Sequence, residues 1–90
     1  MPKYKVLLVD DNAQFTEMMR GFLISQEHIA EVDVAADGKE AIARLRDKQY
    51  DVMTLDLIMP NMDGLSVLEQ VPMICGALAP AVVAALSSQR

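Results

Sequence analysis

The chain opens with a short apolar run followed by a segment of helical periodicity. Residues 5–9 are one lysine and four apolar residues, closed by two acids. A continuous apolar run is typical of a strand that is buried on both faces, as in the centre of a parallel sheet. The next apolar residues recur every three or four positions, which predicts a helix over roughly residues 12–26 with Asp11 or Asn12 as its N-cap. Its predicted core-facing side chains are Phe15, Met18, Met19, Phe22 and Leu23.

A second strand and helix follow with a different pattern. Polar and apolar residues alternate over residues 31–36, which predicts a strand with one wet face at an edge of the sheet. Asp37 precedes Glu40 by three positions, which resembles a capping box. The helix that begins there is predicted to carry Ala41, Ile42 and Leu45 toward the core.

A third unit completes the regular alternation. Residues 51–55 form another short apolar run that ends at Asp56. Pro60 and the turn-forming pair Asp63-Gly64 lead into a short helix predicted over residues 65–70. The repeated order of strand and helix predicts an α/β fold built on a parallel sheet.

The composition changes after residue 70. No charged residue occurs from Val71 to Ser88. We therefore divide the chain into a core of residues 1–70 and an apolar tail of residues 71–90. Within the tail, Val71–Cys75 is predicted as a fourth strand and Ala81–Ser88 as a helix. A helix that is apolar on nearly every face must be buried or paired, so the tail predicts a homo-oligomer.

Size and charge exclude several classes of function. The 90 residues suffice for one domain, and the net charge of −5 with scattered basic residues argues against nucleic acid as a direct partner. The start of the chain has no signal-peptide pattern, and no apolar run reaches the ~18 residues of a membrane helix. The single cysteine, Cys75, suits a reducing compartment, so we expect a cytoplasmic protein.

The candidate chemistry lies in three aspartates. Asp10 and Asp11 follow the first predicted strand, and Asp56 ends the third. The carboxyl ends of parallel strands form one edge of the sheet, where α/β proteins hold their ligands. Each acid alone could be a helix cap or a surface residue. The three at strand ends, with Met59-Pro60 and Asp63-Gly64 after them, favour an acidic pocket.

Two stretches that contain these acids carry a family resemblance. Residues 6–12, VLLVDDN, and residues 50–64, YDVMTLDLIMPNMDG, are similar to the receiver domain of bacterial response regulators. The resemblance implies a flavodoxin-like α/β fold, here incomplete with three to four strand–helix units instead of five. It also implies Mg²⁺-dependent transfer of a phosphoryl group from a histidine kinase or phosphotransfer protein.

The resemblance also implies a role for each site residue. Asp56 is the phosphoacceptor and a metal ligand, Asp11 is a direct Mg²⁺ ligand, and Asp10 holds the ion through water. The backbone carbonyl of Ile58 supplies a further oxygen. The domain is then an acceptor of phosphate and not itself an enzyme.

The sequence departs from the receiver pattern at two other positions. The family places a lysine after its fifth strand, but no lysine follows Lys48 in this sequence. The family hydroxyl at the end of the fourth strand falls on or near Ala77, and the later hydroxyls are Ser87 and Ser88. A truncated or altered receiver, a fragment completed by dimerisation, and a pseudo-receiver used only for binding are three explanations.

Three functions therefore compete. The first is a phosphoacceptor module that uses Asp56 and Mg²⁺. The second is a phosphorylation-incompetent receiver that acts in protein–protein interaction or self-association. The third is a phosphatase-like hydrolase with Asp56 as its nucleophile. It is the weakest of the three, because such enzymes usually carry a second acid two residues after the nucleophile, where this chain has Ile58.

Overall fold

In the described part of the chain, four parallel strands form the centre of the fold, and three helices pack against them. The computed structural model describes residues 3–57 and 64–85. The elements in chain order are β1 Tyr4–Val9, α1 Ala13–Ile24, β2 Ile29–Ala35, α2 Gly38–Asp47, β3 Val52–Asp56, α3 Gly64–Cys75, a 3-10 turn at Gly76–Leu78, and β4 Ala81–Ala85. The strand order is β2-β1-β3-β4, with every pairing parallel. The predicted α/β class with a parallel sheet is confirmed.

The first strand is buried on both faces, as its continuous apolar run predicts. Leu7 and Val9 join the larger core cluster under α2 and α3, whereas Val6 and Leu8 join a smaller cluster under α1. Leu7 and Leu8 are 0% and 1% exposed, so neighbouring residues are equally buried on opposite faces. The alternating strand, β2, lies at the edge of the sheet as predicted.

Both helices that were predicted from capping signals begin where expected. The Asn12 side chain accepts a hydrogen bond of 3.0 Å from the Phe15 amide, and the Asp37 side chain accepts one of 2.9 Å from the Glu40 amide. The three residues predicted to face the core from α2 are all buried: Ala41, Ile42 and Leu45. Local capping chemistry therefore sets the starts of α1 and α2.

The predicted core-facing stripe of α1 is wrong for three of its five members. Met19 and Leu23 pack against the smaller core cluster. Phe15, Met18 and Phe22 are 39%, 65% and 61% exposed. Helix α1 packs over β1 and β2, so only one side of its wide apolar stripe meets the sheet.

The predicted fourth strand at Val71–Cys75 is also wrong, because these residues complete α3. Val67, Val71, Ile74 and Cys75 recur at helical spacing and all contact the larger core cluster. Pro72 lies inside this helix and costs it a hydrogen bond, at about 3 kcal/mol in a helix interior. Burial of the apolar face on both sides of Pro72 offsets that cost.

The predicted helix at Ala81–Ser88 is replaced by a strand over its described part. Ala81–Ala85 pairs with β3 in parallel, with Val82 beside Met53 and Val83 beside Thr54. Pairing satisfies the backbone groups that face β3, and the two adjacent β-branched residues of this segment favour a strand. Residues 86–88 lie outside the described part of the chain.

A small polar cluster joins β2 to the start of β3. The Lys48 ammonium lies 3.0 Å from a carboxylate oxygen of Glu31 and 2.9 Å from one of Asp33. The Tyr50 hydroxyl donates a hydrogen bond of 2.5 Å to Asp33. The bond from Tyr50, helped by Lys48, lowers the pKa of Asp33 although burial opposes this. Burial, followed by the bond to Asp33, raises the pKa of Tyr50 to about 12.

The raised pKa of Tyr50 predicts a loss of stability in strong base. Below the ordinary tyrosine pKa of about 10, the contribution of the hydroxyl is complete. As the pH rises toward the folded pKa of about 12, the unfolded chain loses this proton first and is stabilised. We therefore expect the free energy of unfolding of the wild type to fall relative to Tyr50→Phe over this window, as measured by urea unfolding.

The other tyrosine provides the control for that measurement. Tyr4 is 42% exposed at the start of β1, and Tyr4→Phe removes its hydroxyl alone. Unfolding curves of both variants are compared with the wild type at each pH. An equal change in the two variants would show that Tyr50 is not the responsible group.

Candidate functional site

The topology brings the three aspartates together at one edge of the sheet. β1 and β3 are adjacent and parallel, with Val9 beside Leu55, so Asp10 and Asp56 follow at neighbouring positions. Asp11 comes one residue later, before α1 begins. One carboxylate oxygen from each of the three acids lies within 4.8 Å of the others. Residues that are 45 positions apart in the sequence therefore share one small pocket.

The three acids differ in their exposure to solvent. Asp56 is 5% exposed at the end of β3, Asp10 is half-buried, and Asp11 is exposed. An oxygen of Asp10 accepts a hydrogen bond of 2.8 Å from the Asn12 amide, which ties this carboxylate to the start of α1. The pocket thus has a buried acid at its base and an exposed acid at its rim.

The donor set of this pocket fits a hard divalent cation. Three carboxylates this close repel one another when ionised, and a bound cation reverses that repulsion. Mg²⁺ prefers oxygen ligands and keeps several waters, so it needs only a few carboxylates from the protein. The Ile58 carbonyl, which the resemblance adds to this set, lies outside the described residues.

A glycine at the start of α3 lies against the backbone of the buried acid. A Cβ atom on Gly64 would lie 2.5 Å from the Asp56 carbonyl oxygen, and it would also collide with the Leu57 Cα. The Gly64 amide donates a hydrogen bond of 3.1 Å to the Leu57 carbonyl. Sequence reasoning interpreted Asp63-Gly64 as turn chemistry and missed this close approach. The missing side chain at Gly64 allows α3 to begin directly against the end of β3.

An apolar groove adjoins the acids on the α1 side of the sheet. Its volume is about 240 Å³, and it is lined by Val9, Asp10, Phe15, Met19, Thr54, Leu55, Asp56 and Val83. Thr54 precedes Asp56 by two residues on β3, so both side chains face this groove. Sequence reasoning overlooked the Thr54 hydroxyl, although the two-residue period of a strand could have indicated it.

The predicted position of the family hydroxyl near Ala77 is wrong. Ala77 lies in the exposed 3-10 turn, before the fourth strand begins. The fourth strand is Ala81–Ala85, and its last residue pairs with Asp56. The next hydroxyls in the sequence are Ser87 and Ser88, which lie outside the described residues. Because the fourth strand was predicted too early in the sequence, the position of the hydroxyl at its end was predicted too early as well.

The helices of residues 3–57 and 64–85 also bear on the question of membrane insertion. None of them has both the length and the apolar character that a membrane crossing requires.

The sequence matches a known family model over most of its length. The model describes the response regulator receiver domain and covers residues 6–86. A curated relative from Myxococcus xanthus (strain DK1622), protein-glutamate methylesterase/protein-glutamine glutaminase 5, is 42% identical over 84 residues. The alignment covers 93% of this chain and 24% of that protein, so the chain spans about a quarter of its relative.

Solved structures agree in fold. The response regulator domain of Thermotoga maritima CheB is 30% identical with a TM-score of 0.78, over 97% of this chain and 64% of that one. A CheY-like receiver domain from Methanospirillum hungatei JF-1 has a TM-score of 0.80 over 97% of this chain and 68% of that one. Its identity of 22% supports the flavodoxin-like fold alone. The chain belongs to the response regulator receiver domain family.

Proposed function

We propose that this receiver domain accepts a phosphoryl group on Asp56 with Mg²⁺ held by Asp10, Asp11 and Asp56. The observation that carries the proposal is the convergence of three carboxylate oxygens within 4.8 Å at the carboxyl ends of β1 and β3. A scaffold has no need for such a cluster, because ionised acids at this distance repel one another. Ile58 would add its backbone carbonyl to the metal site.

In the proposed reaction, Asp56 is the nucleophile of a displacement at phosphorus. Its carboxylate oxygen attacks the phosphorus of a phosphohistidine, and an O–P bond forms as the P–N bond breaks. The imidazole nitrogen keeps the electron pair and takes a proton from solvent. Bound Mg²⁺ supplies the positive charge that lets an anionic nucleophile approach an anionic phosphoryl group. The product is an acyl phosphate on the domain itself, which is why we class the chain as an acceptor rather than an enzyme.

The donor that fits this chemistry is a histidine kinase or a phosphotransfer protein in the cytoplasm. The methylesterase and glutaminase activities in the name of the Myxococcus relative belong to that protein, of which this chain spans 24%. The family match therefore supports signalling through the receiver. The family match does not assign the methylesterase or the glutaminase activity to this chain.

A second candidate is an interaction module that works without phosphorylation. Exposed apolar side chains on α1 and β4 favour self-association, which includes homo-oligomerisation through the tail of residues 71–90. The division into a 1–70 core and this tail stays a prediction.

Intact mass spectrometry under native conditions separates the two candidates. The 90-residue protein is incubated with Mg²⁺ and acetyl phosphate, a small phosphoryl donor that needs no cognate kinase. We expect one phosphoryl adduct on the folded protein. A folded protein that acquires no adduct would favour the interaction module. The same spectra give the number of subunits.

The metal site is tested separately by Mg²⁺ affinity. We expect Asp11→Asn to weaken Mg²⁺ binding by about tenfold, about 1.4 kcal/mol, because it removes one charged ligand from the rim of the pocket. Titration of the unphosphorylated protein with Mg²⁺, followed by NMR chemical shifts, measures this affinity without phosphoryl transfer.

Asp47→Asn is the matched control for this titration. Asp47 is an exposed acid at the end of α2, so the variant makes the same change of net charge away from the pocket. Equal loss of affinity in both variants would indicate a nonspecific effect of charge and would contradict the assignment of Asp11.

A further inference from the structure

The loop between β1 and α1 ties one of the three pocket acids to the helix that follows it. The Asp10 amide donates a hydrogen bond of 3.1 Å to the Ala35 carbonyl on β2, so the sheet fixes the backbone of this acid. Its side chain turns back and accepts a hydrogen bond of 2.8 Å from the Asn12 amide. The two oxygens of a carboxylate move as one rigid group, so a bond to one of them also sets the direction of the other.

Asn12 is in turn held by the first turn of α1. Its side chain accepts a hydrogen bond of 3.0 Å from the Phe15 amide, and its carbonyl accepts one of 3.1 Å from the Thr16 amide. Thr16 is 4% exposed, so this turn is anchored in the interior of the protein. The Thr16 hydroxyl closes the turn with a hydrogen bond of 3.1 Å to the Ala13 carbonyl. The amide that orients Asp10 therefore has a fixed position.

We propose that Asn12 is a positioning residue of the Mg²⁺ site, because its side-chain cap on α1 holds the amide that orients the Asp10 carboxylate. Asn12 acts through Asp10 and not on the ion. Mg²⁺ demands near-ideal octahedral geometry, so the direction of each oxygen around it affects the affinity. An acid that is oriented before the ion arrives loses less freedom on binding. This inference rests on the metal site of the proposed function and adds a residue to it.

The backbone of Asn12 explains why its side chain matters for the pocket. It has φ −88° and ψ 102°, the extended conformation of an N-cap residue. With alanine at this position, the Phe15 amide loses its acceptor, and the extended conformation loses the bond that maintains it. The Asn12 amide can then move away from Asp10. All three carboxylates keep their charge in this variant, so a weaker metal site would reflect orientation and not electrostatics.

A pair of variants at this position tests the proposal. We expect Asn12→Ala to raise the Mg²⁺ dissociation constant about fivefold, which corresponds to about 1 kcal/mol, the usual worth of an N-cap. Serine caps helices about as well as asparagine, so Asn12→Ser should restore the affinity to within about twofold of the wild type. The affinity is measured by NMR titration of the unphosphorylated 90-residue protein with Mg²⁺, and circular dichroism checks that each variant is folded.

The cap of α2 provides the matched control. The Asp37 side chain accepts a hydrogen bond of 2.9 Å from the Glu40 amide, and Asp37 does not belong to the cluster of three acids. Asp37→Ala removes this cap, whereas Asp37→Asn makes the same change of charge and keeps a capping side chain. We expect these two variants to bind Mg²⁺ equally well. A difference as large as that at Asn12 would show that any lost cap weakens binding, and it would overturn the proposal.

Unfolding measurements give a second readout of the same coupling. An ion that binds only the folded protein stabilises it in proportion to the logarithm of its affinity. Saturating Mg²⁺ should therefore stabilise Asn12→Ser more than Asn12→Ala, by the amount that the fivefold difference in affinity predicts. Urea unfolding of both variants with and without Mg²⁺ measures this difference. Equal stabilisation of the two variants would contradict a role of the cap in metal binding.

The outcomes separate this inference from the proposed function. A wild type that binds no Mg²⁺ overturns both the metal site and the role of Asn12. A wild type that binds Mg²⁺ no more tightly than Asn12→Ala overturns the role of Asn12 alone, and so does an Asn12→Ser variant that binds as weakly as Asn12→Ala. No phosphoryl donor is present in these assays, so a failure of Asp56 to accept phosphate would not affect them.

Discussion

Asp56→Asn is expected to abolish the phosphoryl adduct completely. An amide oxygen is a poor nucleophile, and the substitution also removes one of the three charged oxygens proposed for Mg²⁺. Asp56 is 5% exposed, and its carboxylate oxygen approaches those of Asp10 and Asp11 within 4.8 Å. Neither Asp10 nor Asp11 is the last residue of a strand at the base of the pocket, so we expect neither to accept the phosphoryl group in place of Asp56. The measurement is the intact mass after incubation with Mg²⁺ and acetyl phosphate.

Two controls make that result specific. Asp47→Asn, which alters an exposed acid at the end of α2, should acquire the adduct as the wild type does. Hydroxylamine cleaves an acyl phosphate but leaves a phosphoserine ester intact, so it distinguishes Asp56 from Ser87 or Ser88. An adduct that persists on Asp56→Asn, or one that resists hydroxylamine on the wild type, would refute the assignment of Asp56.

The same variant should not be less stable when metal is absent. Three ionised carboxylates within 4.8 Å repel one another, and Asp56→Asn removes one of the charges. We expect a gain on the order of 1 kcal/mol in the free energy of unfolding at low salt without Mg²⁺. The gain should vanish when Mg²⁺ is added, because the wild type then has a counter-charge that the variant binds less well. Urea unfolding with and without Mg²⁺ measures both states.

Features that depend on short stretches of sequence could be predicted well. The continuous apolar run of β1 and the caps at Asn12 and Asp37 act within a few residues, and all three match the structure. The meeting of Asp10 and Asp56 also followed, because parallel strands in an α/β fold bring their carboxyl ends to one edge. Local pattern and general topology were sufficient for the position of the candidate site.

Features that depend on distant partners were predicted poorly. The third helix was predicted to end at residue 70, but α3 continues to Cys75 because Val71 and Ile74 reach the same core cluster. Ala81–Ala85 has no alternation of polar and apolar residues that would mark it as a strand. It is its pairing with β3 that makes this segment a strand rather than a helix. Helix α1 has an apolar stripe wider than the sheet surface beneath it, and no sequence period reveals how much of a stripe finds a partner.

Gly64→Ala is expected to destabilise the protein although it adds only one methyl group. The added Cβ would lie 2.5 Å from the Asp56 carbonyl oxygen, and backbone atoms cannot move aside as a flexible side chain can. Overpacking of this kind typically costs about 1–3 kcal/mol of stability. Because the collision involves the residue that carries the proposed phosphoacceptor, we also expect weaker Mg²⁺ binding and slower formation of the adduct.

Gly21→Ala is a close control, because it adds the same methyl group to a helix where nothing lies within 4 Å of the new Cβ. Alanine is favoured over glycine in a helix interior, so this variant should be more stable than the wild type by about 0.5–1 kcal/mol. Opposite signs in urea unfolding would establish that space at Gly64, rather than loss of glycine as such, is what matters.

The Mg²⁺ affinity of Gly64→Ala then shows which side of the contact gives way. The collision can be relieved by a shift of α3, which leaves Asp56 in place, or by a shift of the end of β3, which carries Asp56 with it. Val67 and Val71 anchor α3 in the core at 0% and 3% exposure, whereas Asp56 is the last residue of its strand. We therefore expect the end of β3 to move and the affinity to fall. A variant with reduced stability but wild-type Mg²⁺ affinity would place the movement in α3 and confine the role of Gly64 to stability.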